Sequence, residues 1–151
     1  MNSDPSGAYL GIILLIYVGV FVFSLLVFVA VYVVTAIALM QFFRKVGVEP
    51  WIAWVPIYAY WKWLEVGGQP GALSLLVLVP YAGIVTSVFL AIGMYRSGIA
   101  FRKDASWVVL GIFLPWVWLF LLGRQGEVYQ PELITAAGYP PPRAGFGSVP
   151  A

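Results

Sequence analysis

From Pro5 to Phe43 the chain carries no charged side chain. A helix of roughly 20 apolar residues already crosses the ~30 Å hydrocarbon core of a bilayer, so this run predicts a membrane-spanning helix over about residues 9–40. At about 1.5 Å per residue such a helix is about 48 Å long, and it must tilt steeply or extend several turns past the core. Asp4 opens the run, and Arg44 and Lys45 close it. Lys and Arg are retained in the cytoplasm, so this asymmetry places the N-terminus outside and the later segments inside. Tyr17, Phe21, Ser24, Phe28, Tyr32 and Thr35 recur at helical spacing on one face. Hydroxyls in lipid prefer a protein partner, which assigns the stripe, with Tyr17, Ser24 and Tyr32 as its packing residues, to the interior of a helix bundle.

Residues 49–66, EPWIAWVPIYAYWKWLEV, are too short to span and are interrupted by Lys62 and Pro56. Their load of Trp and Tyr predicts an interfacial helical segment over about 50–66, because these rings are apolar while the N–H or O–H still reaches water. Trp51, Trp54, Tyr58, Trp61, Lys62 and Trp63 are the candidate interface or lipid contacts. Helical spacing puts Tyr58 and Glu65 within reach of Lys62, for a cation–π contact and an ion pair.

A turn, GGQPG, leads to a second predicted span over about 73–94, with a kink expected at Pro80. Gly83, Ser87 and Ala91 fall four apart and form a row of small residues suited to close helix packing. A third span is predicted over about 106–122, near the lower length limit and containing Pro115. Three crossings place Arg44, Lys45, Lys62, Arg124 and Arg143 inside, and Arg96, Arg102 and Lys103 outside. The remainder, 124–151, is rich in Pro, Gly and Ala and reads as a mostly irregular or disordered tail. The expected organisation is an all-α membrane protein: one transmembrane domain over 1–123, followed by the tail.

Composition narrows the chemistry. Of the residues, 62% are hydrophobic and only 9% charged, with no Cys and no His. Disulfides, thiolate nucleophiles, haem attachment and the usual zinc sites are therefore out of reach. Eight basic residues against six acidic ones are scattered, which argues against a nucleic-acid partner. The three predicted spans contain no Asp, Glu, His, Lys or Arg, so no catalytic residues, metal ligands or cofactor are expected.

The order VGVEPWIAWVPIY (46–58), LEVGGQP (64–70), VLVPYAGIV (77–85), IFLPWVWLFLLG (112–123) and EVY (127–129) resembles a family of small bacterial membrane proteins defined as a domain of unknown function. The resemblance covers about 42–129. It implies one long N-terminal span, an interfacial segment and two further spans. Ala59 and Tyr60 depart from the Asn that the family pattern places after Ile-Tyr. Some members carry a signal peptidase I label, but no segment here is long enough for the β-rich catalytic domain which that enzyme requires.

The resulting expectation is a non-enzymatic, multi-pass protein of the inner (plasma) membrane, with membrane lipid around it. It would act as an accessory or scaffold subunit that docks a protein partner or forms a homo-oligomer. The alternative is a binder or carrier of lipid or a hydrophobic small molecule, with its pocket between the Tyr17/Phe21/Phe28 face and Trp51, Trp54 and Trp61.

Overall fold

The computed structural model describes residues 5–147. Asp4 and residues 148–151 of the expected tail lie outside them. The described residues are helical, without strands, and the chain forms two units, residues up to Val34 and residues from Thr35 onward.

Helix α1, Pro5–Val46, runs unbroken and ends on Arg44 and Lys45, whose charges complement the C-terminal end of the helix dipole. In the first unit its side chains are exposed all round, from Tyr9 at 67% to Val31 at 53%. So continuous an apolar surface is not one that water tolerates. Tyr17 (71% exposed), Phe21, Ser24 and Phe28 lie on this exposed surface, and Tyr32 is half-buried.

The second unit packs around the last turns of α1. Phe42, Phe43 and Val46 are fully buried, and Phe42 meets Phe101 and Trp118 with ring centroids 6.1 and 5.8 Å apart. A short 3₁₀ turn, Pro50–Trp54, and helix α2, Pro56–Val66, follow, each opened by the proline that suits a first helical position. This is the predicted segment. Ala59, Trp63 and Val66 form its buried stripe, at a spacing of four and then three residues.

The second predicted span is not one kinked helix. Gly71–Leu78 is a 3₁₀ helix, the chain reverses at Val79–Ala82, and helix α3, Gly83–Ala100, returns antiparallel to it. Thr86 donates to the carbonyl of Leu73 at 2.7 Å, a Cβ on Gly83 would lie 3.9 Å from Val77 Cα, and Gly67 abuts Gly93. The 3₁₀ period of three residues aligns Gly71 and Ser74, both buried, on the inner stripe, so two backbones come close. Tyr81, with φ 65°, makes the reversal.

The third predicted span is also divided. Helices α4, Trp107–Phe113, and α5, Pro115–Leu122, meet at Leu114, whose φ of −136° and ψ of 65° leave the helical region. The ring base of Trp118 lies 3.3 Å from where a Cβ on Gly111 would stand. Residues seven apart on a straight helix would be separated by about 10.5 Å, so α5 folds back along α4. Pro115 lacks the amide that would continue α4 and starts α5 instead.

Residues 124–147 are mostly irregular, as expected, but they pack against the rest of the unit. They contain helix α6, Glu132–Ala136, with Ile134 fully buried. Tyr129 donates to the carbonyl of Gly145 at 2.9 Å, and the amides of Arg143 and Gly147 donate to the carbonyls of Glu65 and Val46.

Candidate functional site

Two features of the second unit are candidates for function, an apolar cleft and a polar end. The cleft has a volume of about 430 Å³. Tyr60 and Trp63 of α2 line it, with Ile84, Ser87, Val88, Leu90, Ala91 and Met94 of α3 and Gly111, Ile112 and Pro115 of the α4–α5 hairpin. No acidic, basic or thiol group is among them. Ser87 gives its hydroxyl to the carbonyl of Gly83 at 3.1 Å, so even the polar member presents little polarity. Gly111 is what lets the wall close up, because a Cβ there would lie 2.8 Å from Met94 Sδ.

The row Gly83, Ser87 and Ala91 therefore divides between two uses. Gly83 turns toward the 3₁₀ segment, while Ser87 and Ala91 line the open cleft. The close approach uses the neighbouring stripe of α3, where Thr86, Gly93, Ser97 and Ala100 are buried. These are again small residues, spaced seven, four and three, a helical-face signal present in the sequence but less regular than the row beside it.

The aromatic segment divides by role. Trp51 is 56% exposed, donates its indole N–H to Glu49 and lies beside the Tyr58 ring; Trp54 is 42% exposed. Lys62 sits 5.7 Å from the Tyr58 ring centroid and 2.8 Å from Glu65. The hydrogen bond to Glu65 holds the Lys62 ammonium above its usual range, against the opposing effect of partial burial. Trp61 donates to the other oxygen of Glu65 at 2.8 Å and lays its ring against Gly71. Trp63 is only 3% exposed and stacks on Tyr60. It is a core residue and a cleft wall, not an interfacial anchor, and its indole nitrogen is buried without a hydrogen-bond partner.

The polar end is a closed circuit of contacts. Lys45 donates to the Gln125 carbonyl at 3.3 Å, Lys103 pairs with Glu127 at 2.7 Å and Arg102 bonds Gln130 at 2.7 Å. Arg96 donates to the Gly67 carbonyl at 3.2 Å and lies 5.3 Å from the Tyr139 ring centroid. The Glu65 carbonyl accepts from Arg143, and that of Val46, next to Lys45, accepts from Gly147. Arg102 and Lys103 are thus tied, through Gln130 and Glu127, to the segment whose Gln125 accepts from Lys45, and Arg96 to Gly67 and Tyr139. Within the circuit, Gln41, Arg44, Lys45, Gly123 and Gln125 line a hollow of about 520 Å³. Burial pushes the Tyr129 phenol well above its ordinary range.

Among the described residues no group of His, Cys, Asp or Glu is placed to hold a metal ion. Two helices, α1 and α3, are long and apolar enough to cross a membrane. No curated protein and no solved structure matches the chain. A family model, described as a family of unknown function (DUF5684), matches residues 51–131, from the aromatic segment through both hairpins to the start of the tail. That match covers just over half of the 151 residues, and the chain belongs to this family of unknown function.

Proposed function

We propose that the chain is an integral protein of the inner (plasma) membrane that acts without catalysis, as an accessory or scaffold subunit receiving a transmembrane helix of a partner or of a second copy. The observation that carries this reading is the cleft. Its floor holds the small residues Ser87, Ala91 and Gly111, and its rims hold Ile84, Val88 and Ile112, which are 69%, 54% and 54% exposed. Small residues let a helix approach closely, and in lipid that packing supplies much of the association energy. The basic end faces the cytoplasm by the positive-inside rule, and the N-terminus of α1 lies outside.

Leu substitutions of Ser87 and Ala91 fill the cleft at exposed or half-exposed positions and test the reading. Purified in mild detergent, the natural chain is expected to carry a stoichiometric partner or to dimerise, and the double variant to lose it at unchanged thermal stability. A natural chain that stays a bare monomer under these conditions removes the proposal. A second reading, an acyl chain or hydrophobic small molecule in the same cleft, is favoured by its volume, which lies within the ~300–1,000 Å³ of typical ligand pockets. Native mass spectrometry separates the two: retained lipid lost in the double variant, with no protein retained, selects the second.

A further inference from the structure

We infer that residues 67–100 and 107–122 are two re-entrant hairpins, each entering the hydrocarbon from the cytoplasmic side and returning to that side without crossing. The inference rests on the membrane reading above and goes beyond it, since it removes the second and third crossings.

Charge fixes the two ends of the unit. All eight Lys and Arg residues of the chain lie in the second unit, and the contacts of Lys45, Arg96, Arg102, Lys103 and the Arg143 backbone gather these five at one end. The opposite end is apolar and bare. Leu78, Tyr81 and Ile84 at the first turning point are 65%, 92% and 69% exposed, and Phe113 at the second is 77% exposed.

Length decides how far the hairpins reach. From Arg96 to Gly83, α3 rises about 20 Å, and α4 and α5 rise only about 10–12 Å each, against a hydrocarbon core of ~30 Å. The first hairpin goes past the midplane without crossing, and the second stays within one leaflet.

Backbone bonding lowers the cost of such tips in lipid, where an unpaired amide costs several kcal/mol. Around the first turn the amides of Val79, Ala82, Ile84 and Val85 donate to carbonyls of Leu76, Val79, Tyr81 and Ala82, and Pro80 has no amide to satisfy. At the second, Leu114 donates to Leu110, and Pro115 again removes a donor.

The chain has no cysteine, so single cysteines read out topology against no background. Ser6→Cys, Leu78→Cys, Asp104→Cys, Phe113→Cys and Gln125→Cys all change exposed residues. They are treated with a membrane-impermeant maleimide in right-side-out and inverted vesicles. Asp104→Cys and Gln125→Cys are expected to react from the same side, opposite to Ser6→Cys. Leu78→Cys and Phe113→Cys are expected to lose labelling from both sides until detergent is added. Reaction of Asp104→Cys and Gln125→Cys from opposite sides, or of either tip from the Ser6 side, overturns the hairpins while leaving α1 as a crossing. Reaction of Ser6→Cys and Gln125→Cys from one common side overturns the membrane crossing itself, and the hairpin inference with it.

Discussion

At Gly67 the backbone runs where no side chain fits, because an added Cβ would strike the backbone of Gly93. At Gly71 it would strike the ring of Trp61, which a hydrogen bond to Glu65 holds in place. At Gly111 the first obstacle is the thioether of Met94, the far end of a flexible side chain that can swing aside. Overpacking typically costs about 1–3 kcal/mol, so Gly67→Ala is expected near the top of that range and Gly111→Ala near the bottom. Gly126→Ala, with nothing within 4 Å, is expected to stay within about 0.5 kcal/mol. Thermal unfolding in detergent checks the order, and a Gly67→Ala variant as stable as Gly126→Ala would show that α2 and α3 are not packed backbone to backbone.

Among the elements, α1 and α2 with its preceding turn were readable from sequence because their signals are local. An uninterrupted apolar run, a cluster of Trp and Tyr, and a proline at each helix start need no distant partner to be interpreted. The hairpins were not readable in the same way. Hydropathy measures how long a segment is without charge, but not whether its two ends lie on the same side. Pro80 was taken for a kink, yet beside Tyr81 in the left-handed region it stands in a reversal, and the return is fixed by contacts such as Thr86 with Leu73. The proposed hairpins would bring Arg96, Arg102 and Lys103 to the side of Lys45, where a count of crossings puts them on the other. The packing of the tail was hidden by composition: a Pro- and Gly-rich stretch looks solvated, and only the long-range contacts of Tyr129, Tyr139 and Arg143 show it packed. The cleft was partly visible, since Ser87 and Ala91 had been singled out as a contact surface, whereas Tyr60, Gly111 and Pro115 come to it only through the reversals. Tyr139 tests the tail as an element. Its ring covers the guanidinium of Arg96, whose Nε is buried without a partner. Tyr139→Ala is expected to lower stability by about 1–2 kcal/mol, the size of a partly desolvated cation–π contact. Val128→Ala, at a residue 66% exposed in the same stretch, is the control and should change little. Equal effects from the two would mean that the tail adds no structure to the polar end.

For the whole molecule, the sorting of charge and apolar surface sets where it can reside. Six acidic and eight basic side chains are few for 151 residues, and those in the second unit's contact circuit leave its other end bare. With α1 exposed and apolar over most of its length, the natural chain is expected to remain in the membrane pellet after alkaline carbonate extraction. Recovery in the supernatant would refute an integral protein, and with it the proposed docking role. Before reaching the bilayer, however, the same apolar surface is a hazard. LSLLVLV, residues 73–79 with Ser74, is the kind of uncharged, strand-prone window that seeds intermolecular β-pairing. The proline that follows it at the turning point cannot donate to a growing ladder and stops the window at its most exposed edge. Pro80, beside the reversal at Tyr81, thus also acts as a gatekeeper against aggregation during biogenesis.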